Sequence, residues 1–255
     1  AEVRAPIAAI QMLEAQGVQV TVAAVDVAAP EEMEALLAQM TPPLGGVIHA
    51  AGVVADGLIA HQSEELLRQV LHPKVEGAWR LHLLTREKPL SFFILVSSLA
   101  GTVGTMGQGT YAAANAFLDA FAGFRRAQGL PALSVGWGLW EGGMGSQAQR
   151  DHFEEIGMQA MSPALALSAM ERLLGADAAQ CTVARMDWRK MAAAIPPGAR
   201  RGQLLERLTQ TAEESPRPVA RRHQDMTRAQ AREWLQALVH RTVAQVLGFT
   251  NPEGL

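Results

Sequence analysis

Short apolar runs alternate along the chain with segments whose apolar residues recur every three or four positions. Ile7, Ile10 and Leu13 have helical spacing over residues 5–16, and Gly17 supplies the stop. The β-branched stretch Val18 to Val25 predicts a strand, followed by Asp26-Val27. Pro30-Glu31-Glu32 opens a helix to about Met40, with proline at its start and acids at its positive end. After the turn Pro42-Pro43-Leu44-Gly45, Gly46 to Ala50 predicts a second strand. Ser63 caps a helix through Leu71, and Pro73 begins another to about Leu84. Phe92 to Val96, Ala132 to Val135 and Thr182 to Met186 predict further strands, and Tyr111 to Arg126 a helix ended by Gly129. Strands that are apolar throughout and alternate with helices imply an α/β fold, a doubly wound parallel sheet covered on both faces. Ligands in such sheets sit beyond the carboxyl ends of the strands. That places Asp26, Ala50 to Gly52, Ser97-Ser98 and Gly136 to Gly138 where chemistry is expected.

Composition narrows the function classes. Hydrophobic residues make up 49% and charged residues 18%, too apolar for a disordered chain. The charge of −3, from 22 basic and 25 acidic side chains, lacks the cationic surplus of a nucleic-acid binder. A single cysteine, Cys181, excludes an internal disulfide and points to a reducing compartment, with a buried apolar thiol as its expected role. No apolar run reaches the ~20 residues of a membrane span. The expectation is a soluble, cytoplasmic protein. The start, Ala1-Glu2-Val3-Arg4, has neither initiator methionine nor signal-peptide layout and reads as part of something larger.

Tyr111 is the sole tyrosine, and Lys74, Lys88 and Lys190 are the only lysines. Asn115 follows Tyr111 by one helical turn, so the two share a face. Ser98 ends the third predicted strand and Lys74 lies in Leu71-His72-Pro73-Lys74-Val75. A tyrosine by itself is most often a packing residue. A strand-end serine, a helix-start tyrosine and a lysine together supply what carbonyl reduction needs. A phenol with a pKa near 10 is a poor proton donor-acceptor at neutral pH, and a nearby ammonium is expected to lower it. The seven histidines show no metal-ligand spacing, so no metal is expected.

The run Gly107-Gln108-Gly109-Thr110-Tyr111-Ala112-Ala113-Ala114-Asn115-Ala116-Phe117-Leu118-Asp119 resembles the active-site helix of ketoreductase domains in modular type I polyketide synthases. Gly46-Val47-Ile48-His49-Ala50-Ala51-Gly52, Pro73-Lys74-Val75, Val96-Ser97-Ser98 and Gly129 to Gly138 resemble the same family, in order and at its spacing, over roughly residues 5–210. These domains are short-chain dehydrogenase/reductase relatives with a Rossmann-like sheet. In that wider family the lysine follows the tyrosine by four and the asparagine lies on the preceding helix. Polyketide ketoreductases exchange the two, as Lys74 and Asn115 do here. The resemblance implies NADPH-dependent reduction of a carrier-bound β-ketoacyl thioester. Tyr111 would protonate the keto oxygen, Ser98 hydrogen-bond it, Lys74 support the tyrosine and Asn115 order the site. It also implies cofactor contacts at Asp26-Val27 (adenine), Ala50-Ala51-Gly52, Lys74, Tyr111 and Gly138.

Substrate and stereochemical control would fall to Asp56, Val103, Met106, Trp137 and Met144, the last in a mobile lid after Gly142-Gly143. Family members that form the D-alcohol usually carry Leu-Asp-Asp after the His-Ala-Ala-Gly strand, where this chain has Val54-Ala55-Asp56. Members that form the L-alcohol usually carry tryptophan eight residues before the tyrosine, where this chain has Val103. The D-alcohol is therefore expected. The family's first strand and glycine-rich phosphate loop are missing from the chain, which is read as truncated and unable to hold NADPH alone. Gly136-Trp137-Gly138-Leu139-Trp140-Glu141 is the wrong sequence in the wrong place for that loop.

Residues 1–212 are thus the catalytic domain. Residues 213–227, rich in proline and charge, read as a linker. Residues 228–255, with Trp234, Leu238, Val239, Val243 and Leu247, resemble the first helix of an acyl carrier protein. The phosphopantetheine serine lies beyond them. Expected partners are that carrier and other domains of the same synthase. The rivals are a non-catalytic structural fragment and a free-standing short-chain alcohol dehydrogenase.

Overall fold

Phe92–Ser98 and Leu133–Trp137 carry apolar residues on both sides because they occupy the middle of a parallel sheet. The computed structural model describes residues 4–105, 107–143, 147–194, 204 and 207–208. Residues 1–205 and 206–255 form two compact units, and the sheet belongs to the first. The linker and carrier-like helix, with Met106 and Met144, lie outside the described residues.

In chain order the elements are α1 (Arg4–Ala15), α2 (Pro30–Ala38), β1 (Gly46–His49), α3 (Glu64–Leu71), a π turn (His72–Glu76) and α4 (Gly77–Thr85). Then come β2 (Phe92–Ser98), α5 (Ala100–Val103), α6 (Gly109–Ala127), β3 (Leu133–Trp137), α7 (Gln147–Glu155) and β4 (Met158–Gln159). The series ends with α8 (Pro163–Leu174), β5 (Gln180–Val183), β6 (Arg185–Met186) and α9 (Trp188–Ala194). The main sheet is four-stranded and parallel in the order β1-β2-β3-β5, with Ile48 opposite Ile94, Val96 opposite Val135 and Gly136 opposite Thr182.

Side-chain alternation divides the core. Phe93 and Leu95 of β2 pack with Leu81 of α4 and Leu118, Phe121 and Ala122 of α6. Ile94 of β2, with Leu133, Val135 and Trp137 of β3, packs on the other face against Met161 and Ala166. Burying each such large side chain contributes about 1.5–3 kcal/mol. Helix caps sit where the residue types predict: Ser63 Oγ accepts from Leu66 N at 3.1 Å and Ser162 Oγ from Leu165 N at 3.3 Å.

Three expectations change. Val18 to Val25 is not a strand; among the described residues the segment runs without a ladder partner, and Val22 is 75% exposed. β-branched residues favour a pleated surface but need a neighbouring strand. Among the described residues β1 is the edge strand, with Ile48 left exposed. The strand expected at 182–186 splits into β5 and β6, and β6 leaves the main sheet to pair antiparallel with β4. Cys181 is half-buried in β5 rather than buried. No described helix is long and apolar enough to cross a membrane.

Candidate active site

Pro73 has no N–H to donate, and around it the helical ladder slips, so that Gly77 N donates to His72 O five residues back. The resulting π turn between α3 and α4 carries Lys74 into the interior, 3% exposed, where Nζ donates to Val96 O at 2.9 Å. Tyr111, in the first turn of α6, is also buried, with its ring centroid 5.7 Å from Lys74 Nζ. Ser98 ends β2, and its Oγ accepts from Ala100 N at 3.2 Å; its hydroxyl also acts on the Tyr111 phenol, pulling the phenol's pKa down. Asn115 is fully buried one turn further along α6 and donates Nδ2 to Tyr111 O at 2.8 Å. The four residues read from the sequence therefore converge at the carboxyl ends of β1 and β2. Gly52, just after β1, is needed for this: a Cβ there would lie 2.8 Å from Lys74 Cε.

The electrostatics differ from the sequence expectation. Burial raises the Tyr111 pKa, against the opposing pull of Ser98 and Asn115, with the Asp56 charge adding to the rise. Lys74 approaches the face of the ring, and its charge is not what sets the phenol. Burial lowers Lys74 itself to about 8, opposed by the charge of Asp119. Burial, then the Lys74 charge, lowers His49 to about 4, so this histidine beneath the site is neutral at pH 7.

Three polar residues within the resembling runs, Asp119, Ser97 and Ser134, receive no role from the resemblance. Asp119, half-buried two turns along α6 from Tyr111, accepts from Ser134 Oγ at 2.6 Å. Ser97 Oγ donates to Asn115 O at 3.2 Å. The available signal is polarity out of place: Ser97 and Ser134 interrupt apolar strands, and a buried hydroxyl there requires a partner.

On the cofactor side, Asp26 Oδ1 accepts from Ala28 N at 2.9 Å, an Asx turn. Its Oδ2 lies 2.9 Å from His72 Nε2, and His72 Nδ1 lies 2.9 Å from Glu76 Oε2. Val27 packs beside Gly77, whose missing Cβ leaves it room. Ala50, Ala51 and Gly52 follow β1 with almost no side chain. Asn115 Oδ1 is buried without a hydrogen-bond partner, an open acceptor beside Tyr111. Small residues, an accessible carboxylate and an orphaned acceptor fit the adenine and nicotinamide ends of a dinucleotide. At Gly138 a Cβ would lie 2.8 Å from that of Ala184, so packing also calls for glycine there. No cluster able to hold a metal ion occurs among the described residues.

The residues assigned to stereochemical control separate. Asp56 is exposed beside the site, where Oδ1 accepts from Gln108 Nε2 at 3.0 Å and Oδ2 from Gln149 Nε2 of α7. Gly57 N donates to Gly107 O at 2.7 Å, so this loop is fastened to the segment before Tyr111. Val103 packs with Leu99, Leu139 and Met158, and Trp137 is buried edge-on to Trp140 at 5.0 Å. Val103 is partly buried there and Trp137 is buried.

A family model described as KR domain matches residues 1–142. The phenolphthiocerol synthesis polyketide synthase type I Pks15/1 of Mycobacterium marinum is 38% identical over 259 residues, which is 94% of this chain and 12% of that protein. A solved structure of A-type ketoreductases from a modular polyketide synthase is 38% identical with a TM-score of 0.76, covering 80% of this chain and 44% of that one. The first ketoreductase of the tylosin polyketide synthase is 44% identical with a TM-score of 0.68, covering 72% and 41%. The chain thus spans about an eighth of the synthase and less than half of each solved ketoreductase chain.

Proposed function

This chain belongs to the KR family, the ketoreductase domains of polyketide synthases, and from that membership we propose that it reduces a carrier-bound β-ketoacyl thioester to the β-hydroxyacyl thioester with NADPH. The observation that carries the reading is the convergence of Lys74, Ser98, Tyr111 and Asn115 at the carboxyl ends of neighbouring strands. Bound NADPH supplies a hydride to the β-carbon. Tyr111, held protonated by burial, gives its proton to the keto oxygen as the C=O bond becomes C–O. Ser98 offers a second hydrogen bond to that oxygen and so polarises the carbonyl. Lys74 carries positive charge below a pH of about 8 and stabilises the phenolate that the proton transfer leaves. Solvent returns the proton. Asp26, Val27 and Ala50 to Gly52 hold the dinucleotide; the substrate arrives on the phosphopantetheine arm of an acyl carrier protein of the same synthase.

The product is the D-alcohol. Asp56 stands at the loop fastened to the start of α6, and Val103, where the opposite marker would be tryptophan, is a small, partly buried side chain packed against Leu99 and Leu139. The assignment rests on these two positions and not on overall likeness to other ketoreductases. Chiral chromatography of the 3-hydroxyacyl product formed by the synthase polypeptide that carries this sequence tests it. A predominantly D product is expected, and a predominantly L product contradicts the stereochemical reading whatever the rate.

A further inference from the structure

Two segments of the proposed cofactor site meet at His72. The loop Asp26-Val27-Ala28 lies on the adenine side, and the π turn His72–Glu76 carries Lys74. They touch at two points. Asp26 Oδ2 lies 2.9 Å from His72 Nε2, although 46 residues separate them in sequence, and Val27 fills the space beside Gly77, where a Cβ would lie 2.7 Å from Val27 Cγ1. The same ring is held from its other side within its own turn, with Nδ1 2.9 Å from Glu76 Oε2. His72 O accepts the π-turn bond from Gly77 N, so the backbone that carries the ring is the backbone that carries Lys74 inward.

Ionised carboxylates only accept hydrogen bonds, and a neutral imidazole has a single N–H to give. A ring with a carboxylate oxygen 2.9 Å from each nitrogen satisfies both only as the imidazolium. Among the described residues the charged groups that face it are Asp26, from the loop before α2, and Glu76, from its own turn. Glu32 of α2 stands behind Asp26, accepting from its backbone N at 3.3 Å, and Lys74 is turned into the interior. We propose that His72, as an imidazolium shared by Asp26 and Glu76, is a positioning residue for NADPH: it fixes the adenine-side carboxylate relative to the turn that carries Lys74, so that the two ends of the dinucleotide are held in one register. The proposal rests on the reading of Asp26 and Lys74 as cofactor contacts and adds the residue that couples them. Asp26 keeps acceptor capacity for the exocyclic amine of adenine, because each carboxylate oxygen can take two hydrogen bonds, and Ala28 N and His72 occupy one on each. The hydrogen bond with Asp26 raises the His72 pKa above its ordinary 6.5, and Glu76 adds to the rise. The clamp is therefore complete below that raised pKa and is lost as pH climbs through it.

Two measurements separate this role from that of an idle surface ion pair. In the 255-residue chain with ¹⁵N-histidine, the His72 ring signals are assigned by their loss in His72→Gln. Their titration midpoint should lie above the ordinary 6.5 and fall in Asp26→Asn. An ordinary midpoint that Asp26→Asn leaves unmoved overturns the proposal. NADPH fluorescence titration of the synthase polypeptide then compares the wild type with His72→Gln, neutral at every pH, from pH 6 to pH 9. The variant should bind roughly fivefold more weakly at pH 6, the upper range for a solvent-exposed ion pair, and the affinity ratio should close to about 1 by pH 9. The 2′-phosphate of NADPH titrates alike with both proteins and cancels in that ratio. A ratio of about 1 at pH 6 removes the role in binding, and a ratio that stays constant with pH leaves only the shape of the side chain; either overturns the proposal. Should His72→Gln not fold, Glu76→Gln, which frees one side of the ring, should move the ratio in the same direction, and no change at any pH overturns the proposal equally. Neither measurement reads turnover, so their failure is distinguishable from failure of the ketoreductase reading, which stands on the chemistry at Tyr111.

Discussion

Replacing Tyr111 by phenylalanine is expected to lower turnover of a β-ketoacyl thioester by at least ~100-fold, the usual cost of losing a general acid. The substitution removes one oxygen and leaves the ring, so the packing with Val70, Ala100 and Ala114 persists. It also leaves Asp26 and Ala50 to Gly52 untouched, so NADPH affinity should change little. The chain contains no second tyrosine that could substitute. Steady-state NADPH oxidation in the synthase polypeptide, with NADPH fluorescence titration alongside, measures both quantities. Near-normal turnover in Tyr111→Phe would remove the assignment of the proton donor. Lost turnover accompanied by lost cofactor affinity would place Tyr111 in binding instead.

Lys74 gives the second large effect, on stability. Its folded-state pKa of about 8 lies below the ordinary 10.5 because burial disfavours the ammonium. Below about 8 both folded and unfolded chains hold the proton, and folding bears the full cost of burying the charge. Between about 8 and 10 the unfolded chain keeps the proton while the folded chain releases it, so stability rises with pH. The shift corresponds to roughly 3 kcal/mol at its full extent. Urea unfolding from pH 7 to pH 10 should therefore show a rise that Lys74→Met, of similar volume, lacks. A flat wild-type profile, or a rise that persists in Lys74→Met, contradicts the burial argument. Stability is thus lower at pH 7 than the fold would allow, and the difference is associated with a charge the chemistry uses.

The same contrast explains which features could be read without the structure. The order of strands and helices was legible because parallel strands buried on both faces must be largely apolar, as Phe92 to Val96 is and as Leu133 to Val135 is apart from Ser134. The catalytic residues were legible because their spacing on α6 and their places at strand ends follow from helix and sheet periodicity. Val18 to Val25 misled because a strand is a relation between two segments, and propensity describes only one. The split at Ala184 was invisible because β6 departs to pair with β4, a long-range choice without a local signal. The tyrosine's environment is not legible from the nearby ammonium alone, because low exposure raises the phenol and depresses the lysine at once. Gly138 and Trp137, placed after a strand by the sequence, also pack against Ala184 and Trp140, contacts with no local signal. Asp119 carries no signal of its own within the motif, because its partner Ser134 lies on a strand fifteen residues later.

The most direct measurement is isotope transfer. The synthase polypeptide that carries this sequence is incubated with NADPH deuterated at the transferable position and a β-ketoacyl thioester, and the product is weighed by mass spectrometry. The account predicts a 3-hydroxyacyl thioester carrying one deuterium at the β-carbon, formed with an equal amount of NADP⁺ and lost in Tyr111→Phe. An unreduced β-keto thioester from a folded, NADPH-binding protein, or label that arrives undiminished in Tyr111→Phe, would contradict it.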